Sequence, residues 1–160
     1  MLSKYKREEE KKMIKVLFVC HGNICRSPMA EFVLKDIAKK RGFEDRFLIE
    51  SAATSSEELG NPVYPPVRRL LAHLGIDTKG KSARRIRESD YDNFDYLIGM
   101  DSANIRNMKA FFKKEDKIYK LLEFADIHRD VADPWYTDDF DSTYRDVVVG
   151  CNAFLSYLGF

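Results

Sequence analysis

Apolar positions along this chain fall into two alternating patterns. Residues 14–19 (IKVLFV) form a short, nearly continuous run of β-branched and aromatic side chains, the mark of a strand buried on both faces. A glycine-containing loop follows, then Ser27-Pro28, which reads as an N-cap with a first-turn proline. Met29, Phe32, Val33 and Ile37 keep helical spacing and predict a helix over 29–40, ending near Gly42. Residues 46–52 read as a second strand, 54–66 as a loop rich in Ser, Glu, Gly and Pro, and 67–74 as a helix closed by Gly75. Residues 79–87 are basic and unpatterned, a surface connection. A third strand is expected over 94–100, followed by Asp101 or Ser102 as the cap of a helix running to Phe112. A short fourth strand over 117–122, a loop over 124–137 and a closing helix over 140–158 complete the pattern.

Strands alternating with helices imply right-handed crossovers around a parallel sheet, hence an α/β fold. In such sheets ligands bind outside the carboxyl ends of strands, where the strand order switches. The first strand delivers the chain straight into Cys20, so the chemistry is expected there.

Composition narrows the class. At 160 residues, 44% hydrophobic and 33% charged, the chain suits one globular domain. Residues 1–12 hold eight charges without apolar periodicity and read as a solvated extension ahead of a domain over 13–160. A formal net charge of +1 argues against duplex nucleic acid as partner. No apolar run approaches the roughly 20 residues of a membrane span. Three cysteines without a CxxC pair fit a reducing cytoplasm and offer no zinc ligand set. No metal and no cofactor is expected.

The loop Cys20-His21-Gly22-Asn23-Ile24-Cys25-Arg26-Ser27 joins a buried strand to a helix N-terminus. Successive backbone N–H groups in a tight loop make an anion nest, to which the helix dipole adds positive potential. Gly22 and Asn23 are residue types that tolerate left-handed conformations, and Arg26 supplies a planar fork for two oxygens of a phosphate. A cysteine on the floor of that cradle has its thiolate stabilised by the same field, and Ser27 can hydrogen-bond the sulfur. Taken together these residues describe an activated nucleophile in an oxyanion pocket.

The stretch VLFVCHGNICRSPMAE resembles the signature of the low-molecular-weight protein tyrosine phosphatases, whose Cys-x5-Arg loop runs directly into Ser-Pro. The resemblance continues through Ser51-Ala52-Ala53-Thr54-Ser55, Phe94-Asp95-Tyr96, Met100-Asp101 and Asp133-Pro134-Trp135-Tyr136, about residues 14–160. It implies a three-layer fold around a four-stranded parallel sheet and hydrolysis of phosphotyrosine through a phosphocysteine on Cys20. Arg26 and the loop amides would hold the phosphate, with His21, Gly22, Asn23, Ile24, Cys25 and Ser27 contributing to substrate binding. Asp133 would serve as general acid and then general base, and Trp135 and Tyr136 as walls for the aromatic ring.

Cys25 has two readings, a packed loop residue or a thiol that pairs with Cys20 on oxidation, and the resemblance supports the second. Cys151 falls in the apolar pattern of the last helix and reads as core. Asn23 is expected to hold the loop, with Ser51 as a partner. The family's loop network commonly includes a histidine whose place here is taken by Lys81. Ser56-Glu57-Glu58 stands where relatives often carry an aromatic, and Tyr64-Pro65-Pro66 where they carry Asp-x-Arg, so the pocket mouth is expected to be more acidic. His73 and His128 read as structural or exposed.

Sister activities on the same scaffold fit less well. Arsenate reductases add relay cysteines mid-chain, and here no cysteine lies between Cys25 and Cys151. Protein-arginine phosphatases tend to place Thr where Ile24 stands and lack the paired aromatics after Asp-Pro. A silent phosphopeptide binder would need neither Cys20 nor Asp133.

Overall fold

The computed structural model describes residues 12–160, so all of the charged N-terminal extension except Lys12 lies outside the described residues. Ten regular elements follow in order: β1 (Ile14–Cys20), α1 (Arg26–Lys40), β2 (Phe47–Ala53), α2 (Pro65–His73), α3 (Asp90–Asn93), β3 (Tyr96–Gly99), α4 (Ser102–Phe112), β4 (Ile118–Lys120), α5 (Pro134–Thr137) and α6 (Phe140–Tyr157). Two single 3-10 turns, Glu44–Arg46 and Leu121–Ala125, join them.

The four strands form one parallel sheet in the order β2-β1-β3-β4. Side chains alternate across β1 as the pleat requires. Val16, Phe18 and Cys20 enter one core with Met29, Val33 and Leu34 of α1 and Val147, Cys151 and Phe154 of α6. Leu17 and Val19 enter the opposite core with Tyr91, Phe94 and Met108. Helices thus cover both faces, which is why β1 reads as a continuous apolar run. From β1 the chain moves to one side for β2 and later returns to the other side for β3. The switch point of the sheet therefore sits at the carboxyl end of β1, at Cys20.

Several boundaries differ from the sequence pattern. Helix α1 begins at Arg26 and not after Ser27, because the Ser27 hydroxyl is turned inward and caps nothing. Strand β3 is only Tyr96–Gly99, since Phe94 closes the α3 turn by donating its N–H to Asp90 O. Strand β4 ends at Lys120, where the chain tightens into the 3-10 turn beneath α6. The basic stretch 79–87 is more than a surface connection. Ala83 and Ile86 are buried, Ser82 bridges Pro62, and Arg85 bridges Ala53 at the end of β2.

Gly150 marks the closest approach of α6 to that 3-10 turn. A Cβ there would lie 2.8 and 2.9 Å from the Cδ1 and Cδ2 methyls of Leu121, which is fully buried and has nowhere to move. Gly150→Ala is expected to destabilise the protein by about 1–3 kcal/mol despite the better helix propensity of alanine. A lower urea midpoint with unchanged slope would show it, and an unchanged midpoint would mean the helix slides at no cost.

Candidate active site

The loop after β1 is tight because Asn23 adopts a left-handed conformation (φ 60°), which its short polar side chain tolerates. Three backbone hydrogen bonds from two segments hold it. Thr54 N–H donates to Cys20 O (3.0 Å), Ser55 N–H to His21 O (3.1 Å) and Tyr64 N–H to Ile24 O (2.9 Å). No acceptor among the described residues takes the N–H groups of Gly22, Ile24, Cys25, Arg26 and Ser27, so the loop and first helical turn keep a set of free donors. The Asn23 N–H lies 3.3 Å from Cys20 Sγ.

Cys20 is buried, and its sulfur lies 2.9 Å from Ser27 Oγ. Asn23 Nδ2 donates both to Ser27 Oγ (2.8 Å) and to Ser51 Oγ (2.9 Å), while Asn23 Oδ1 accepts from Arg84 N–H (3.2 Å). Asn23 and Ser27 therefore support Cys20 from behind. Both side chains are buried and neither lines the pocket, so what these two residues offer an anion is backbone, in keeping with the expected role of the loop amides.

Arg26 has a side chain only 3% exposed, and its fork is set before any ligand arrives. Nη1 donates to Asp101 Oδ2 (2.7 Å) and to Val131 O (3.0 Å), and Nη2 approaches Asp133 Oδ2 at 3.4 Å. Burial works against this charge, but Cys20 and Asp101 outweigh it and hold the guanidinium above its ordinary range. Asp101 does two jobs: its Oδ1 accepts from Asn104 N–H in a capping box at the start of α4, and its Oδ2 fixes Arg26. The sequence pattern offered Asp101 only as a cap.

Asp133 is the N-cap of the single-turn helix α5. Its Oδ1 accepts from Trp135 N–H (3.0 Å), which leaves Oδ2 toward Arg26 and the pocket. A pocket of about 130 Å³ is lined by Cys20, His21, Gly22, Ile24, Cys25 and Arg26 from the loop, with Glu57, Glu58, Asp133, Trp135 and Tyr136 around them. Trp135 and Tyr136 stand largely exposed at the mouth. Tyr64 braces Trp135, with ring centroids 5.1 Å apart. The mouth is acidic, and His21 Nε2 pairs with Glu57 Oε2 at 3.0 Å. Gly22 lets this wall close in, for a Cβ there would lie 3.3 Å from Glu58 Cγ.

Cys25 lines the same pocket but is held as a thiol. Burial, then the nearby Cys20 and Asp133, push it up to about 12. Cys151 is fully buried and its thiol is likewise raised by burial, in keeping with a core role. Lys81 lies under β2, donating to Ser51 O (2.9 Å) and pairing with Glu31 Oε1 (3.2 Å). Burial pushes its ammonium below the ordinary lysine range, and Glu31 pulls in the other direction. His73 and His128 are exposed and do not line this pocket. No cluster of three or more metal-ligating side chains occurs among the described residues.

A family model described as low molecular weight phosphotyrosine protein phosphatase matches residues 15–159. The Bacillus subtilis protein YfkJ, a low molecular weight protein-tyrosine-phosphatase, is 40% identical over 148 residues, 90% of this chain and 95% of its own length. The crystal structure of YfkJ superposes with a TM-score of 0.88, covering 92% of this chain and 96% of that one. SP-PTP, the low molecular weight protein tyrosine phosphatase of Streptococcus pyogenes, gives 0.81 at 45% identity over 91% of this chain and 93% of its own. A drosophila arginine phosphatase, DARP, gives 0.83 at 30% identity over 92% and 99%.

Proposed function

This chain belongs to the low molecular weight phosphotyrosine protein phosphatase family and is a cysteine-dependent protein-tyrosine-phosphatase, and from that premise we propose that Cys20, Arg26 and Asp133 carry its reaction. Cys20 Sγ attacks phosphorus in line with the bond to the tyrosyl oxygen. As that bond breaks, Asp133 gives its proton to the departing oxygen, leaving a phosphocysteine. Asp133, now a carboxylate, takes a proton from the water that attacks phosphorus, and the sulfur leaves with the Ser27 hydroxyl donating to it. Arg26 and the free loop N–H groups hold the three equatorial oxygens throughout.

The observation that supports this best is the Arg26 fork. One nitrogen is committed to Asp101 and Val131 O, and the other reaches toward Asp133 from the same pocket that holds Cys20. A guanidinium fixed in this way loses little freedom when it binds a phosphate, so charge stabilisation is preorganised. The fixed guanidinium and the backbone N–H groups supply the positive field, which is the role a metal would otherwise fill.

The substrate is a phosphotyrosine-bearing protein or peptide, with the ring between Ile24 and the Trp135-Tyr136 wall. The setting is the cytoplasm. Three cysteines without a CxxC pair suit a reducing compartment.

Hydrolysis of matched phosphotyrosine and phosphoarginine peptides without added metal tests the specificity. An aryl-lined pocket should favour phosphotyrosine by about tenfold or more in kcat/KM, the worth of one good aromatic contact. A preference for phosphoarginine would keep the mechanism and overturn the role given to Ile24, Trp135 and Tyr136.

A further inference from the structure

Helix α2 carries two apolar rows, and the fold covers only one of them. Val67 and Leu71 are buried in the main core. Pro66, Leu70 and Leu74 are spaced four apart along α2 and its C-cap, and so lie on one side of the helix. They face a cleft of about 430 Å³ against Phe140 and Tyr144, themselves four apart on α6. Leu74 is 42% exposed, and Leu70, Phe140 and Tyr144 are only half-buried. Arg69 and His73 on α2 and Asp141 on α6 give the cleft a polar rim. An apolar floor inside a polar rim is the usual make-up of a surface that binds another molecule.

Aromatic rings join this cleft to the mouth of the catalytic pocket, where a phosphotyrosine protein has to enter. The Trp135 ring at the mouth has its centroid 5.1 Å from that of Tyr64, and the Tyr64 ring lies 6.0 Å from that of Phe140, which lines the cleft. Trp135 and Phe140 are therefore at most about 11 Å apart, a distance that an extended chain covers in about three residues. Two other borders of the mouth are charged. Glu57 and Glu58 stand on one, and on another Thr137, just after Tyr136, opens onto Arg129, Asp139, Arg145 and Asp146. Of these three borders only the one across Tyr64 is apolar.

We propose that the cleft between α2 and α6 is a subsite for the substrate's own polypeptide: it takes an apolar side chain three to six residues from the phosphotyrosine, on one side of it. The proposal deepens the phosphotyrosine reading of the pocket and rests on it. Once Arg26 and the loop hold the phosphate, the flanking chain is tethered beside the cleft, so one leucine-sized side chain adds affinity at little further cost in freedom. The row from Pro66 to Leu74 runs about 12 Å along the helix axis, at about 1.5 Å for each residue, and this sets the far limit of the range.

Peptides that carry a non-hydrolysable difluorophosphonate in place of the tyrosyl phosphate test this by fluorescence anisotropy. A single leucine is moved through a serine-rich background, from about two to about seven residues away on either side. Leucine at one position, or at two neighbouring ones, within the proposed range and on one side only, should tighten binding about tenfold, the worth of burying most of its side chain. Leu70→Ser combined with Leu74→Ser should reduce that gain to less than about twofold. In the same variant kcat/KM on a small aryl phosphate, which has no flank, should stay within about twofold. Should the double variant fail to fold, Leu74→Glu alters an exposed position alone and should reduce the gain by at least about threefold.

No gain at any position, or an equal gain at every one, would overturn the proposal, since neither marks a cleft at a fixed distance. A gain that survives the variants would overturn it as well. So would a shift from dimer to monomer in sedimentation on Leu74→Glu with peptide binding unchanged, which would give the cleft to a second copy of this chain. Peptides that fail to bind while the aryl phosphate is hydrolysed would remove the subsite and keep the chemistry. The expected pattern in a protein without turnover would leave the subsite standing and refute the catalytic assignment instead.

Discussion

Replacing Cys20 with Ser is expected to end turnover while leaving the pocket able to bind phosphate. A hydroxyl in place of Sγ would still lie near Ser27 Oγ and the Asn23 N–H, so the site would keep its shape. What it would lack is a nucleophile. Serine attacks only when a neighbouring base takes its proton, and the groups around Cys20 donate: the Ser27 hydroxyl, the Asn23 amide and the Arg26 fork. The one carboxylate lining the pocket beside Arg26, Asp133, is assigned to the opposite side of the reaction, as the acid for the leaving oxygen. Loss of kcat by at least about 10⁴-fold is therefore expected, in line with removal of a nucleophile elsewhere. Phosphate release from a phosphotyrosine peptide measures it, and calorimetric titration with inorganic phosphate measures the retained binding. Surviving turnover would remove Cys20 from the mechanism. Loss of phosphate binding together with turnover would show that the substitution had collapsed the cradle and tested nothing about attack.

The residues of this prediction were among the most legible in the sequence, and the reason is physical. A strand covered on both faces has few polar positions, here only Lys15 near its exposed start, so residues 14–19 stand out as a run, and a nucleophile at its carboxyl end follows from the sheet's topology. The loop's chemistry is contiguous, with Cys20, Gly22, Asn23 and Arg26 all within one turn of the chain. What escaped was whatever depends on partners distant in sequence. Asp101 read as a helix cap because that role is local, whereas its bond to Arg26 spans 75 positions and has no period. Ser27 read both as a cap and as a partner of the Cys20 sulfur; the hydroxyl takes the second role, and only its bond from Asn23 was not foreseen. The segment 79–87 looked like a solvated basic surface because arginines and lysines dominate it. Yet Arg84 is bound to Asp90 and offers its N–H to Asn23, and Ala83 and Ile86 are buried beneath. Tyr64 stood out as a departure from the family pattern, and its packing on Trp135 gives it a place in the pocket wall.

Asp133→Asn separates the two halves of the proposed reaction by leaving group. The substitution is close to isosteric, and Asn keeps an oxygen to accept the Trp135 N–H, so the turn that starts α5 should persist. It loses the proton. Phosphotyrosine departs as a phenolate of ordinary basicity and needs that proton as its bond to phosphorus breaks. Here kcat/KM should fall by about 10²–10⁴-fold, the usual worth of a general acid. A nitro-substituted phenyl phosphate leaves as a stable anion without help, and its kcat/KM should fall by less than about tenfold. A plot of log kcat/KM against leaving-group basicity should thus be shallow for the unaltered enzyme and steep for the variant. The ratio kcat/KM is the right quantity because it ends at the first irreversible step, formation of phosphocysteine. The base role appears separately: with the nitrophenyl ester the variant should release a burst of phenolate equal to the enzyme present, then turn over slowly as phosphocysteine waits for a water without its base. Equal losses across all leaving groups would contradict the acid role, and a missing burst would contradict the second role while sparing the first.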